Sequence, residues 1–356
     1  MLNIDDLKII KKYDKSDMLG VIEAFADQCR AAKAIGMDLN LPDSFRREYK
    51  NIVCTGMGGS AIGADIIRSY ITDEARIPLS VNRNYTLPNF VGSSSLVIAS
   101  SYSGNTEETI SAYKDASAKG ASIIVITSGG QLQEMAGRDG NPVVIIPKGF
   151  APRCALGYSS LTLLILLSKI GIVKDKSRDI DEAIGVLEWL KDEKVGHAVS
   201  RKKNPAKYIA DSLHLKFPVI YASQGHLDSV VTRWRGELSE NAKVLSSGHL
   251  FPEMNHNEIV GWENPKSLLE DFVAVMLRDA GDHPRNSRRI DVTEKILEKN
   301  KFKVLEVCSF GKGLLARIFS LIYIGDFTSF YLSILNGIDP TPVDRIDYLK
   351  KELAKG

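Results

Sequence analysis

The chain has 356 residues, 44% hydrophobic and 25% charged, the proportions of a globular protein too long for one ordinary core. Two domains of about 150 residues each are therefore expected. A formal net charge of +2 gives no broad basic field, so nothing in the charge points to a nucleic-acid partner. The four cysteines, Cys29, Cys54, Cys154 and Cys308, are widely spaced and form no CxxC pair, so neither a disulfide framework nor a zinc cluster follows from them. Residues 1–12 hold no apolar core of signal-peptide length. The apolar stretch 161–173 is broken by Ser168 and Lys169 and is too short to span a bilayer. A reduced, cytoplasmic protein without a membrane partner is the expectation.

Along the chain, residues 1–49 read as helices, with Met18, Ile22, Phe25 and Cys29 on one face. A short β-type run at 52–55 leads into a glycine-rich turn and an amphipathic helix through Ile62, Ile66, Ile67 and Tyr70. Further strands are expected at 79–81, 95–100, 123–126 and 143–146, with a helix over 107–119. Three of these runs are almost continuously apolar, as in strands covered on both faces. Helix at 159–169 and a charged region of helix and linker at 174–207 follow. A second strand series comes next at 218–221, 272–277 and 303–307, then a long apolar helix at 314–334 and a short charged one at 344–353. The alternation predicts an α/β protein with parallel sheets flanked by helices on both faces. The halves look like distant copies, with expected divisions at 1–165, a linker at 166–200, and 201–356.

The segment Ser100-Ser101-Tyr102-Ser103-Gly104-Asn105-Thr106 has the chemistry of a phosphate cup. Ser101, Ser103 and Thr106 supply hydroxyls, Gly104 permits close backbone approach, and the helix that follows adds a favourable dipole. The competing reading is a plain helix cap, with Asn105 and Glu108 as a capping box. The corresponding strand of the second half runs into Arg278-Asp279-Ala280-Gly281-Asp282, which offers no such cup, so one phosphate site per chain is expected. The turn Gly56-Met57-Gly58-Gly59-Ser60-Ala61 also fits a dinucleotide fingerprint. The second strand, however, leads to Asn82-Arg83-Asn84 rather than to an acidic residue, and only Arg83 could hold an NADP-type phosphate.

These two segments, with Pro152-Arg153-x-Ala155-Leu156-Gly157-Tyr158, resemble the sugar isomerase (SIS) fold. With Glu240-Asn241-Ala242-Lys243 and Pro252-Glu253-Met254-Asn255-His256-Asn257-Glu258, they resemble more closely the bifunctional phosphoglucose/phosphomannose isomerases. The resemblance runs from about residue 20 to the C-terminus. It implies two SIS-type domains and isomerisation of glucose 6-phosphate and mannose 6-phosphate to fructose 6-phosphate, without a cofactor or metal. Ser101, Ser103 and Thr106 would hold the phosphate, with Gly59 and Ser60 against the substrate. Arg153 would sit beside the enediolate, Glu240 would be the base, and His256, given by the neighbouring subunit of a homodimer, would open the ring. Lys350 would reach the substrate from the C-terminal helix, with Lys351 as the alternative.

Aldose–ketose isomerisation needs one carboxylate to carry a proton, a cation at the oxygens and an acid/base for ring opening. Glu240 lies late in an expected helix at 228–243 whose other polar residues, Arg233 and Glu237, read as a solvated face. Glu237 is the rival base and His249 the rival histidine. The remaining histidines, His197, His214, His226 and His283, read as surface groups. Asn255, Asn257 and Glu258 flank His256 and could fix its tautomer. A non-catalytic sugar-phosphate sensor and an NADP-dependent oxidoreductase are the competing functions.

Overall fold

A computed structural model describes residues 2–353 and 355. Strands β1 (Asn51–Thr55), β2 (Leu79–Asn82), β3 (Ser95–Ser101), β4 (Ser122–Thr127) and β5 (Val143–Ile145) form one sheet in the order β2-β1-β3-β4-β5. Strands β6 (Phe217–Ser223), β7 (Ser247–Phe251), β8 (Phe272–Arg278) and β9 (Lys303–Cys308) form a second sheet in the order β7-β6-β8-β9. Every strand pairing in both sheets is parallel. The second order repeats the first without its last strand, so the two halves are copies of one plan. Strand β7 is not among the strands expected from sequence, because Ser247-Gly248-His249-Leu250-Phe251 has no apolar run and its residues before Phe251 are only half-buried at the sheet edge.

Alternation along each strand sends side chains to two different cores. From β1 and β3, Ile52, Cys54, Leu96 and Ile98 face a central core, whereas Val53, Val97 and Ala99 face an outer one. From the second sheet, Ile220, Ala222, Val273 and Val275 enter the same central core, and Val219, Tyr221, Ala274 and Met276 face a separate outer layer. The two sheets therefore share one layer of helices between them. That layer includes helices Phe25–Asp38, Gly58–Ile71, Leu156–Lys169, Ser177–Leu190, Asp228–Glu240 and Leu314–Leu335. The charged region after residue 174 contributes the helix Ser177–Leu190 to this layer through Ile180, Ala183, Ile184, Leu187 and Leu190.

Helix Leu314–Leu335 is long and apolar enough by length and composition to cross a membrane, yet its apolar window is buried throughout inside the protein. Its polar residues Ser320, Thr328, Ser329 and Ser333 are buried as well. The helix serves as the axis of the shared layer. Trp234, 1% exposed, packs against it and donates from Nε1 to the Leu321 carbonyl at 2.9 Å. Only a glycine fits beneath the indole, because a Cβ at Gly325 would lie 2.5 Å from Trp234 Nε1. Gly325→Ala is expected to lower unfolding stability by about 1–3 kcal/mol, the usual cost of overpacking. Denaturant titration measures it, and an unchanged midpoint would show that the helices separate freely.

Candidate active site

The order of the first sheet reverses between β1 and β3, which opens a crevice at the carboxyl ends of these strands, where open α/β sheets bind ligands. Two loops line it. The turn after β1 runs directly into helix Gly58–Ile71, and the loop after β3 leads into helix Glu107–Ala118. No side chain caps the start of either helix, so both present open N–H groups. Contrary to the expected capping box, neither Asn105 nor Glu108 caps the second helix. Asn105 Oδ1 accepts from Gln131 N at 3.0 Å and is committed to the neighbouring turn.

Within the second loop, Ser101 and Thr106 share a hydroxyl–hydroxyl bond of 2.9 Å, and Ser101 Oγ accepts from Gly104 N at 3.1 Å. The exposed Ser103 hydroxyl accepts from Asn105 N at 3.2 Å. Gly104 has φ +69° and passes so close to Gly129 that a Cβ would lie 1.7 Å from that residue's carbonyl oxygen. No other residue fits there. Ser60 Oγ accepts from Tyr102 N at 3.1 Å, which joins the two loops and leaves the Ser60 hydroxyl proton free to donate. Gly59 lies directly under the turn Pro152–Cys154, where an added Cβ would stand 2.3 Å from the Pro152 carbonyl oxygen. The three sequence motifs of the first half thus meet at one place.

Arg153, on that turn, is only 3% exposed and is therefore a buried cation. Its Nε donates to Asn241 Oδ1 at 2.7 Å, and its Nη2 donates to the carbonyls of Pro340 (2.9 Å) and Thr341 (3.0 Å). Its Nη1 lies 3.4 Å from Glu240 Oε2. Glu240 is the last residue of helix Asp228–Glu240, with its side chain 31% exposed. A permanent cation and an accessible carboxylate are therefore juxtaposed beside the hydroxyl-lined loops. The sequence reading overlooked Lys243 as a site residue, although it ended a motif already singled out. Its Nζ donates to the carbonyls of Glu240 and, at 3.1 Å, of Pro340. Burial, reinforced by Arg153, lowers its pKa.

The solvated face expected of helix Asp228–Glu240 is also corrected. Arg233 and Glu237 are buried, paired to each other at 2.6 Å, and Arg233 is clasped by Asp326 of the long helix. Glu237 is thereby buried, whereas the Glu240 side chain stays accessible. Burial pushes the Glu237 carboxyl up to about 8, against the pull of Arg233.

His256 ends a short 3-10 turn, Glu253–His256, and is exposed. Its loop packs through Met254 into the outer layer of the second sheet, and Asn255 donates to Thr293 Oγ1 at 2.9 Å on helix Pro284–Lys299. No hydrogen bond joins His256 to Arg153 or Glu240 among the described residues. The residues expected to fix its tautomer are engaged elsewhere: Asn257 bonds Glu253, and Tyr221 donates to Glu258. His249 lies half-buried on edge strand β7. The other histidines have partners after all: His197 bonds Glu23, His214 bonds Asn336, His226 pairs with Asp73, and His283 accepts from Arg285 N. Lys350 and Lys351 lie on helix Asp344–Leu353, none of whose residues is buried. Arg83 is paired with Asp65, so it is committed within the chain rather than open to an NADP phosphate. At the equivalent strand end of the second half, Asp279 accepts from Arg317 Nε at 2.8 Å, Ser309 at 2.6 Å and Gly281 N at 2.9 Å. An internal carboxylate fills that place.

Tyr102, in the middle of the hydroxyl-lined loop, pins the strap that carries Arg153. Its hydroxyl donates to the Pro147 carbonyl at 3.0 Å and accepts from Phe150 N at 2.9 Å. Tyr102→Phe should speed amide exchange at Phe150 about tenfold, the loss of roughly one net hydrogen bond. The amide of Ser128, bonded to the Tyr102 carbonyl, should keep its protection. Unchanged exchange at Phe150, read by mass spectrometry, would show that the strap is held by other means.

Residues 47–145 match the SIS domain, and residues 202–353 match the bacterial phospho-glucose isomerase C-terminal SIS domain. A bifunctional phosphoglucose/phosphomannose isomerase of Caldicellulosiruptor bescii is 46% identical over 329 residues, covering 92% of this chain and 96% of that one. Its counterpart in Aquifex aeolicus is 38% identical, covering 86% and 91%. Among solved structures, a Thermus thermophilus protein described as hypothetical superposes with a TM-score of 0.72 at 16% identity, covering 95% of this chain and 90% of that one, which speaks to the fold. The shared double-SIS plan, the buried arginine beside an open carboxylate and these identities lead to one conclusion: the chain belongs to the bifunctional phosphoglucose/phosphomannose isomerase family.

Proposed function

We propose that the chain interconverts glucose 6-phosphate, and mannose 6-phosphate, with fructose 6-phosphate through a cis-enediol(ate). The observation that carries this reading is the 3.4 Å approach of Arg153 to Glu240 beside the hydroxyl-lined loop. Ser101, Ser103 and Thr106, with the open N–H groups of helix Glu107–Ala118, hold the phosphate. Gly59 and Ser60 lie against the sugar. Glu240 takes the proton from C2 and returns it to C1, while a proton moves from the oxygen on C2 to the oxygen on C1. The guanidinium of Arg153 cannot give up its charge at working pH, so it stabilises the enediolate oxygens without entering the proton traffic. The reaction is redox-neutral overall and calls for no cofactor. The phosphate cup belongs to an N-terminal domain, 1–165, and Glu240 to a C-terminal one, 201–356.

We further propose that the working unit is a homodimer in which His256 of one subunit opens the sugar ring in the other. Two features support this: His256 is exposed, on a loop packed into the outer layer and with no hydrogen bond to Glu240 among the described residues, and helix Asp344–Leu353 displays Ile346, Leu349 and Leu353 to solvent. Lys350 rides on that apolar face and approaches the substrate when the face is covered. The free state of all four cysteines supports a reducing, cytoplasmic setting.

A coupled assay supplying fructose 6-phosphate and detecting glucose 6-phosphate in the presence of EDTA is expected to show turnover. Glu240→Gln should cut kcat by about 10²–10⁴ while phosphate still binds. A sensor would show binding and no turnover in either protein. Mixing and re-associating Glu240→Gln with His256→Ala, each weak alone, should restore one working site per heterodimer. Failure to recover activity in mixtures shown by mass spectrometry to contain heterodimers would place His256 in its own subunit's site.

A further inference from the structure

Behind Arg153 lies a layer of buried polar groups that the proposed chemistry does not use. Asn241, 1% exposed, accepts from Arg153 Nε through Oδ1 at 2.7 Å. Its Nδ2 donates to Glu237 Oε2 at 2.9 Å and to Ser329 Oγ at 3.0 Å. The sense of this amide is set by its surroundings. Ser329 Oγ already donates its proton to the Asp326 carbonyl at 2.8 Å, so toward Asn241 it can only accept. A flipped amide would place Nδ2 against the Arg153 Nε proton and Oδ1 against Glu237. Arg233 completes the arrangement: it pairs with Glu237 at 2.6 Å, is clasped by Asp326 at 3.1 Å through both Nε and Nη2, and donates from Nη1 to the main-chain carbonyl of Arg153 at 2.8 Å. The arginine is therefore gripped twice, at its side chain through Asn241 and at its backbone through Arg233.

We propose that Asn241, oriented by Glu237 and Ser329, is a positioning residue that sets the plane of the Arg153 guanidinium and hence its aim at the reacting oxygens. The proposal rests on the assignment of Arg153 and Glu240 to the reaction centre. Asn241 is buried behind Arg153, and its side-chain hydrogen bonds go to Arg153, Glu237 and Ser329 rather than to the hydroxyl-lined loop. A misaimed cation harms the transition state, where charge develops, more than the ground state. Plain structural packing would not discriminate between the two.

The test compares wild type, Asn241→Leu and Asn241→Asp in the coupled assay, with circular dichroism to check folding. Asn241→Leu is expected to lose about a hundredfold in kcat, as for a misplacement of about 1 Å, with KM and inhibition by inorganic phosphate little changed. Asn241→Asp keeps the acceptor for Arg153 and nearly the same shape, but it sets a carboxylate oxygen against Glu237. The groups facing that pair are Arg233 and Glu240 on the same helix, Asp326 and Ser329 on the long helix, and Arg153 and Cys154 on the turn. As Glu237 deprotonates with rising pH, the two carboxylates repel, so this variant should approach wild-type turnover in acid and fall away above neutrality. A folded Asn241→Leu with wild-type kcat, or with KM rising in step with the loss, overturns the proposal. So does an Asn241→Asp pH profile that superimposes on wild type. Wild type that fails to interconvert the hexose phosphates overturns the functional reading as well; active wild type with unaffected variants overturns the positioning role alone.

Discussion

A guanidinium shielded from water and unable to neutralise itself has to find acceptors for its protons, and the burial of Arg153 imposes that demand on the whole molecule. The turn bearing Arg153 follows the first sheet, but the acceptors come from elsewhere. Asn241 and Glu240 end a helix of the second half, and the Pro340 and Thr341 carbonyls follow the long central helix. One side chain therefore draws segments of the second half to the carboxyl end of the first sheet. Removing one of these acceptors while Arg153 stays buried would leave its charge under-paired, which costs several kcal/mol. The same constraint puts a carboxylate from the second half beside a hydroxyl-lined loop from the first.

The near-symmetry of the two sheets makes their inequality informative. Both have a switch point with a loop beyond it. In the first, the loop is shaped by Gly104 and lined by hydroxyls, with uncapped helices behind it. In the second, Asp279 collects donors from Arg317, Ser309 and Gly281 and supplies the negative charge internally. The two strand-end crevices thus share a plan and differ in lining, with hydroxyls around Gly104 in the first and an internal carboxylate in the second.

The parts of this arrangement legible from sequence are those with local signatures. Strands β1, β3, β4, β6 and β8 lie under helices on both faces, so their apolar runs are unmistakable. The Ser101–Thr106 loop is readable because small hydroxyl residues around a glycine before a helix have few other uses. The edge strand β7 is not, since its half-buried Ser-Gly-His sequence carries no periodicity. Arg233 and Glu237 mislead for a physical reason: an i,i+4 ion pair has the same spacing whether it faces water or a buried aspartate 93 residues away. Lys243 turns into the site because its own backbone adopts φ +57°, which no pattern of residue types announces. Asn255, Asn257 and Glu258 look matched to His256 by proximity in sequence, yet each is engaged elsewhere once the loop folds onto the outer layer.

The proposed reaction turns on Glu240 acting as the carrier of a proton beside Arg153. Solvent label tests this directly: fructose 6-phosphate is converted in deuterium oxide and the glucose 6-phosphate formed is read by mass spectrometry. A proton carried by a carboxylate that is partly open to solvent exchanges with it, so product should gain deuterium at the carbon that receives the proton, and Glu240→Gln should abolish the incorporation. Product formed at an undiminished rate by Glu240→Gln, or formed by wild type with no deuterium on carbon, would contradict that role.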